Sequence, residues 1–251
     1  MTTAPEVTAA DIVVAWERNY DEQSQRFVRS LALPAGARVI DVGAGSGSMS
    51  AWFHDELGAD VVALDIDDTG LGRLRDLPRC EVVLADATTH ALPTGTFDLV
   101  FVRAVLSGIM DPLAALERWS TWLRPGGVLV AEDFYFMPAE DAATDLGRQV
   151  LEGYVQAAAN AGANLRLARR LPSLLARAGL LDVGSSVRPL GPGQGAAENA
   201  LMDVRMRVER ETLVSRGLLT HDLITAWLAT LDDPTYQDIT TLGIRTWGRR
   251  P

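Results

Sequence analysis

Five short apolar runs alternate with amphipathic stretches through the first half of the chain. These runs, each of which predicts a buried strand, are RVIDVG (38–43), DVVALDI (60–66), EVVLADA (81–87), FDLVFVRAV (97–105) and GVLVAEDF (127–134). Helical periodicity predicts helices over residues 8–31, 48–57 and about 112–123. Strands that alternate with helices in this way form a parallel sheet with helices on both faces.

The second half of the chain follows a different pattern. Residues 138–179 and about 195–230 are predicted to be largely helical, and LLDVGSSVRPL (180–190) and TLGIRTWGRR (241–250) predict two further strands. No apolar run reaches the length of a membrane-spanning helix, and the net charge of −10 disfavours an anionic membrane surface, so no membrane partner is expected. The length of 251 residues suits one large domain.

Composition narrows the classes of partner and chemistry. The formal net charge of −10 argues against nucleic acid as a partner, because phosphate-binding surfaces are usually basic. All 23 basic residues are arginines, which excludes a lysine Schiff base and a P-loop lysine. With a single cysteine, Cys80, and no secretory signal, we expect a cytoplasmic protein. Disorder is expected only in the N-terminal MTTAPE (1–6).

The first strand leads into a glycine-rich loop. The sequence VIDVGAGSGSMS places Gly43, Gly45 and Gly47 at alternate positions, so the backbone can turn sharply and approach a ligand. The dinucleotide fingerprint G-x-G-x-x-G needs a third glycine where this chain has Ser48. Asp65, at the end of the second strand, can accept both hydroxyls of a ribose, which NAD and S-adenosylmethionine (SAM) share. The loop and this acid therefore indicate an adenosine ligand of either kind.

Two further acids help to distinguish these ligands. Asp86 follows the third strand, where a carboxylate can accept a hydrogen bond from an adenine amino group. Asp41 lies inside the first strand, where its charge repels a pyrophosphate but attracts the ammonium and sulfonium groups of SAM. This pair favours SAM.

The ordered set of motifs resembles class I SAM-dependent methyltransferases, and more narrowly the small-molecule enzymes of bacterial secondary metabolism. The matching pieces are VIDVGAGSGS, VVALDID, LADATTHALPTGTFDLVFVRAVL and WLRPGGVLVAEDF. The resemblance implies an α/β, Rossmann-like, seven-stranded, mostly parallel sheet with an antiparallel last strand, helices on both faces and a helical lid. It implies a single domain over 1–251, with the lid at 1–36, a SAM-binding core at 37–134, and substrate-side helices and the last two strands at 135–251.

The resemblance also implies which residues hold the cofactor, whose product form is S-adenosylhomocysteine. The glycines would border the methionine and ribose, and Asp65 would bind the ribose hydroxyls. The other implied positions are Ile66, Asp86 and Ala87 at the adenine, and Asp41 and Arg103 at the methionine end. Structural roles are the alternatives: Asp86 can form a turn, and Arg103 can pair with Asp41 or Glu132.

Methyl transfer from a sulfonium requires an aligned acceptor and, for some acceptors, removal of a proton. The candidate bases are Glu132 and Asp133, which end the fifth strand, and His90, which lies in the loop DATTHALP. The alternatives are that the two carboxylates cap loops and that the histidine is solvated. No metal is expected, because Arg103 stands where metal-dependent relatives have an acid.

The acceptor site is predicted outside the common core. The candidate substrate-binding residues, chosen because aromatic clusters suit a flat apolar acceptor, are Trp16, Tyr20, Tyr135, Phe136 and Met137. Core packing is the alternative for any single one, although the four large apolar residues at 134–137 cannot all face one core. The prediction is O-methylation of a small aromatic or polyketide-like metabolite by a monomer or homodimer. A non-methylating cyclase or decarboxylase of the same fold and an NAD(P)-dependent oxidoreductase remain alternatives.

Overall fold

A computed structural model describes residues 7–251, so the disorder expected for residues 1–6 lies outside the described residues. The helices are α1 (Ala9–Ser30), α2 (Ser48–Leu57), α3 (Pro112–Trp122), α4 (Asp145–Asn160), α5 (Leu171–Arg177), α6 (Ala196–Ser215) and α7 (His221–Thr230). The strands are β1 (Arg38–Val42), β2 (Asp60–Asp65), β3 (Cys80–Leu84), β4 (Phe97–Arg103), β5 (Leu123–Phe136), β6 (Leu181–Leu190) and β7 (Thr241–Arg249). None of the described helices combines the length and the apolar character that crossing a membrane requires.

The seven strands form one sheet in the order β3-β2-β1-β4-β5-β7-β6. The pairs among β1 to β5 are parallel, as the buried apolar runs predict. Strand β7 runs against β5, because Arg250 N–H donates to the Gly127 carbonyl while Met137 N–H donates to the Thr240 carbonyl (both 2.9 Å). The prediction of a mostly parallel seven-stranded sheet with an antiparallel last strand is confirmed.

Side-chain caps set several helix boundaries. Asp111 accepts a hydrogen bond from Ala114 N–H at the start of α3, whose first residue is Pro112. Thr220 likewise caps α7 through Leu223 N–H (3.2 Å). The predicted bounds of α1, α2 and α3 lie within one residue of the observed ones, and at α3 the Asp111 cap sets the start.

Two strands differ from their predictions by three or more residues at one end, and the others differ by at most two. Strand β5 begins at Leu123, four residues before the predicted start, because the Arg-Pro-Gly-Gly stretch continues in the strand with a register irregularity opposite Phe97. Strand β3 ends at Leu84 because the chain turns at Asp86.

The described chain comprises two compact units. The sheet unit contains residues 23–135, 166–187 and 243–251, and its core is the set of buried residues on β1, β2, β4, β5 and α2 that includes Val39, Phe53 and Phe101. The helical unit contains residues up to 22, 136–165 and 188–242. Its core joins α4, α6 and α7 around Ile224 and Trp227. The predicted division into lid, core and substrate-side segments stays a prediction.

Candidate functional site

The five parallel strands end at one edge of the sheet, and the predicted cofactor residues follow those ends. Strand order reverses between β1 and β4, so their following loops run to opposite faces. Ligands of open α/β sheets bind at such a reversal. The loop after β1 (43–47) and the loop after β4 (104–111) therefore border the candidate ligand site.

The loop after β1 is shaped by its glycines. Gly43, Gly45 and Gly47 have φ angles of 70°, 55° and 72°, in the left-handed region that side chains disfavour. Gly43 N–H donates to the Leu64 carbonyl oxygen (2.8 Å), and Gly45 N–H donates to Asp65 Oδ2 (2.8 Å). Helix α2 begins directly after the loop without a side-chain cap, which leaves N–H groups of its first turn available to a ligand.

Two neighbours confine this loop. A Cβ atom on Gly43 would overlap the side chain of Val105, from the loop after β4. A Cβ atom on Gly70 would lie 2.6 Å from Ser46 Cα and would overlap the Gly45 carbonyl oxygen. Sequence reasoning missed Gly70, because an isolated glycine in an irregular stretch carries no periodicity signal.

Asp65 ends β2 with its carboxylate fixed beside the glycine loop. While Oδ2 accepts from Gly45, Oδ1 accepts from Asp67 N–H (3.0 Å), and each oxygen keeps a lone pair for a further donor. Ile66 is 74% exposed, and Leu84, the register partner of Asp65 on β3, is 57% exposed. An acid beside exposed apolar side chains suits a ribose attached to a flat heterocycle. Leu84 was not among the predicted residues.

The chain after β3 turns at Asp86. Its Oδ1 accepts from the hydroxyl (2.7 Å) and the backbone N–H (2.8 Å) of Thr88, and these bonds lower the pKa of the exposed carboxyl. Within the described chain no donor reaches Oδ2, which leaves it available to an adenine amino group. The Ala87 carbonyl accepts from Trp119 Nε1 (3.0 Å), and His90 N–H donates to the Asp86 carbonyl (2.8 Å). Oδ1 of Asp86 therefore stabilises the turn, and Oδ2 remains available to a ligand.

Asp41 is buried inside β1, with 3% of its surface exposed. Its Oδ2 accepts from the hydroxyl of Ser50 on α2 (2.7 Å). The contact ties β1 to α2 and holds a carboxylate close to the start of the glycine loop. Such a charge attracts a ligand ammonium electrostatically.

Arg103 and Glu132 are register partners on β4 and β5 that share a polar network. Arg103 Nη1 donates to Ser24 Oγ (3.2 Å), whose hydroxyl donates to Glu132 Oε2 (2.5 Å). Arg245 Nε donates to Glu132 Oε1 (2.5 Å), in a pair whose side chains are only 18% and 11% exposed. Because both oxygens of Glu132 are engaged, the contacts favour a structural role over that of a base.

Asp133 is a buried acid that fixes the loop after β4. Its Oδ2 accepts from Ser107 N–H (2.9 Å) and its Oδ1 from Phe134 N–H (2.8 Å). Burial raises the pKa of the carboxyl above its ordinary value. This is the loop-capping alternative, and a role for Asp133 as base stays a prediction.

A separate group of aromatic and charged side chains surrounds Arg205 in the helical unit. The guanidinium lies over the rings of Trp16 (5.5 Å) and Tyr154 (5.9 Å), and Nη1 donates to Tyr154 Oη (2.9 Å). Trp16 also packs against Tyr20 with ring centroids 4.5 Å apart. We name this group the Arg205 cluster, and its members are Trp16, Asn19, Tyr20, Phe136, Tyr154, Arg188, Glu198 and Arg205.

Glu198 is the buried acid of the Arg205 cluster, with 5% of its surface exposed. Its Oε2 accepts from Asn19 Nδ2 (2.5 Å) and from the Tyr20 hydroxyl (3.3 Å). Arg188 donates to Asn19 Oδ1 (3.1 Å) and lies over the Tyr20 ring (5.8 Å). Burial raises the pKa of both Glu198 and Tyr20.

Sequence reasoning missed Glu198 and Arg205, although a signal was present. Glu198, Met202, Arg205 and Glu209 are spaced by four, three and four residues, so they share one face of α6. That face also meets the apolar core of the helical unit through Met202. Charged residues in a core-facing stripe indicate a polar site rather than plain packing.

The other predicted substrate-binding residues divide between the units. In the sheet unit, Tyr135 is 9% exposed and Arg169 lies over its ring (5.6 Å). In the helical unit, Phe136 stacks on Tyr154 with centroids 5.5 Å apart, and Met137 donates through its backbone to Thr240. Three of the five predicted residues thus belong to the Arg205 cluster: Trp16, Tyr20 and Phe136.

Metal-binding side chains do not gather in the part of the chain that the structure describes. Among residues 7–251, no three of the histidine, cysteine and acidic side chains are placed to hold an ion. Glu132 and Asp133, the two acids that the fifth strand offers to a metal, are instead held by the contacts given above.

Comparisons with known proteins show that part of the chain is similar in sequence to methyltransferases. Residues 40–131 match a family model described as a methyltransferase domain. Phosphoethanolamine N-methyltransferase 3 of Arabidopsis thaliana is 30% identical over 122 residues, which are 47% of this chain and 25% of that protein. Methyltransferase GfsG of Streptomyces halstedii is 27% identical over 194 residues, 72% of this chain and 68% of that protein. The chain therefore spans about a quarter of the length of the first relative.

Solved structures share the fold. Geranyl diphosphate C-methyltransferase from Streptomyces coelicolor A3(2), in complex with Mg2+, geranyl diphosphate and S-adenosyl-L-homocysteine, superposes with a TM-score of 0.62 at 15% identity, covering 95% of this chain and 84% of that one. The [4+2]-cyclase SpnF superposes with a TM-score of 0.56 at 20% identity, covering 90% and 80%. At these identities the similarity establishes architecture alone.

Proposed function

We propose that this chain, whose residues 40–131 match a methyltransferase domain, binds SAM and transfers its methyl group to a small molecule. One arrangement carries the proposal. The left-handed glycine loop, which follows β1 at the reversal in strand order, donates through Gly45 to Asp65, and the exposed Ile66 follows that acid. These residues offer a ribose acceptor, an apolar surface for adenine and backbone N–H groups, which together fit SAM.

Each cofactor residue has one task in this proposal. Asp65 accepts the ribose hydroxyls, Ile66 contacts the adenine, and the free Oδ2 of Asp86 accepts from the adenine amino group. The glycine loop follows the methionine and the ribose. Arg103 and Asp41 contribute charge at the methionine end, and Ala87 borders the adenine edge.

SAM supplies an activated methyl group, so the protein's contribution is alignment and exclusion of water. We propose O-transfer to a small aromatic or polyketide-like acceptor of bacterial secondary metabolism. Trp16, Tyr20, Tyr135, Phe136 and Met137 are proposed as acceptor-side residues. His90 is proposed as the base, because the carboxylates of Glu132 and Asp133 are engaged by Arg245 and by Ser107 N–H. A cytoplasmic monomer or homodimer without nucleic-acid or membrane partners belongs to the same proposal.

A non-methylating reaction is the second candidate, because the [4+2]-cyclase SpnF shares this fold. A cyclase or decarboxylase would use the same architecture without consuming SAM. Incubation with SAM carrying a 13C-labelled methyl group separates the candidates. Methyl transfer places the label in the product and releases S-adenosylhomocysteine, whereas cyclisation leaves the product mass equal to that of the substrate.

Calorimetric titration of SAM into Asp65→Ala tests the cofactor site. Loss of hydrogen bonds to a charged acceptor costs about 2–4 kcal/mol, which is roughly a 30- to 1,000-fold weaker affinity. Asp60→Ala is the matched control, because Asp60 is an exposed acid at the opposite end of the same strand, paired with Arg79 (3.3 Å). Equal affinities of the two variants would refute the role of Asp65.

A further inference from the structure

The Arg205 cluster holds a donor and an acceptor that the protein itself does not satisfy. Among residues 7–251, nothing accepts a hydrogen bond from the buried Nε of Arg205; its nearest acid, Glu209, lies 3.9 Å away. Likewise, no donor in the described chain reaches Oε1 of Glu198, since both bonds to this carboxyl go to Oε2. Buried polar groups are normally paired, so Arg205 Nε needs a partner, and Glu198 Oε1 keeps lone pairs for a further donor.

These two groups are spaced to hold one ligand. Glu198 and Arg205 lie seven residues apart on α6, which is two helical turns or roughly 10 Å along the axis. Their side chains extend from one face of the helix, and the rings of Trp16, Tyr20 and Tyr154 contact or surround them. A ligand that contacts both side chains therefore extends along about two turns of the helix.

The charges of the cluster disfavour a cationic ligand. Guanidinium groups already lie over the rings of Trp16, Tyr20 and Tyr154 at 5.5–5.9 Å, so the ring faces that would attract a cation are engaged. Arg188 and Arg205 balance the charges of Glu198 and Glu209, so these four groups together carry no net negative charge to attract an ammonium group. By contrast, a guanidinium with an unused N–H is a strong donor to a carbonyl or carboxylate oxygen.

We infer that the Arg205 cluster is the acceptor-recognition site, and that it takes a flat apolar hydroxyl compound with an oxygen acceptor at its far end. The hydroxyl donates to Glu198 Oε1, the carbonyl or carboxylate oxygen accepts from Arg205 Nε, and the rings pack against the apolar body. This inference rests on the proposed function and deepens it by naming the acceptor class. It selects such a compound over an amine.

Ligand-observed NMR titration of the full chain with saturating S-adenosylhomocysteine tests the inference. The probe is 4-hydroxybenzoate, and tyramine, which has the same phenol with an ammonium group, is the comparison ligand. We expect 4-hydroxybenzoate to bind at least about tenfold more tightly than tyramine. Equal or tighter binding of tyramine, or no binding of 4-hydroxybenzoate, would overturn the inference.

A pair of variants on one helix locates the site. Arg205→Met removes the guanidinium and should weaken 4-hydroxybenzoate about tenfold while leaving tyramine unchanged. Arg207→Met is the matched control, because Arg207 is on the same helix, is half exposed and pairs with Asp203 (2.8 Å). If both variants bind 4-hydroxybenzoate alike, the site is not at Arg205.

Two further measurements keep the outcome clear. If Arg205→Met does not fold, Arg205→Lys replaces it as the test variant. Lysine retains the positive charge but lacks the guanidinium Nε, so Arg205→Lys should also bind 4-hydroxybenzoate more weakly. Titration of S-adenosylhomocysteine alone is performed on each sample. Failure of that titration on the unmodified protein refutes the proposed function, whereas normal titration without selective 4-hydroxybenzoate binding refutes only the acceptor inference.

Discussion

Substitution of Gly70 by alanine tests whether the glycine loop must keep its observed position. The new Cβ would lie 2.6 Å from Ser46 Cα and closer still to the Gly45 carbonyl oxygen, and both are backbone atoms. Neither can move aside as a side-chain tip can, so the loop or the residue-70 segment must shift by several tenths of an ångström. Overpacking of this kind costs about 1–3 kcal/mol.

The structure indicates where this cost appears. If the loop shifts, Gly45 N–H leaves Asp65 Oδ2, and SAM affinity falls by about 5- to 150-fold. If the loop keeps its position, the strain instead lowers the free energy of unfolding by about 1–3 kcal/mol. Calorimetric SAM titration and urea denaturation of Gly70→Ala measure the two quantities.

Gly72→Ala provides the control for this experiment. Gly72 lies two residues further along the same segment, and a Cβ there would meet no atom within 4 Å. Both its SAM affinity and its stability should stay close to those of the unmodified protein, within about 0.5 kcal/mol. If Gly70→Ala matches Gly72→Ala in both measurements, the confinement of the loop by residue 70 is refuted.

Two further predictions concern buried charges. Arg245→Met should lower the free energy of unfolding, measured by urea denaturation, by about 2–4 kcal/mol, because it leaves the carboxylate of Glu132 largely buried without its cation. Arg75→Met, which breaks an exposed pair with Asp68, should lower it by less than about 1 kcal/mol. Equal losses in the two variants would contradict this. Glu198→Gln should become more stable relative to the unmodified protein as pH rises above 4.5. Burial raises the pKa of Glu198 in the folded protein, so the unmodified protein loses free energy of unfolding when this carboxyl ionises, and the glutamine variant does not. A difference in unfolding free energy that does not change with pH would contradict this.

The sheet and the cofactor edge were predictable from sequence because their signals are local. A buried parallel strand is a continuous apolar run, and Asp65 and the glycines occupy fixed positions after such runs. Gly70 was not predictable in this way. Its requirement for glycine arises from contact with Ser46, twenty-four residues earlier in the chain, which no local pattern records.

The roles of the charged residues depend on contacts distant in sequence. Glu132 ends a strand as a base or anchor would, yet Ser24 and Arg245 engage it from far along the chain. The aromatic residues of α1 were identified because aromatic clusters suit a flat acceptor, whereas their partners Glu198 and Arg205 lie some 180 residues away. Sequence patterns therefore indicated candidate residues, and packing determined which of them meet.

Side-by-side calorimetric titration of S-adenosylhomocysteine and NAD into the unmodified protein tests whether this sheet edge is a SAM site. Both ligands contain an adenosine, so the comparison isolates the group attached to the 5′ side of the ribose. We expect micromolar binding of S-adenosylhomocysteine with NAD at least about a hundredfold weaker, because Asp41 opposes a pyrophosphate and Ser48 stands where the dinucleotide fingerprint has its third glycine. Comparable or tighter binding of NAD would contradict the assignment of this edge to SAM.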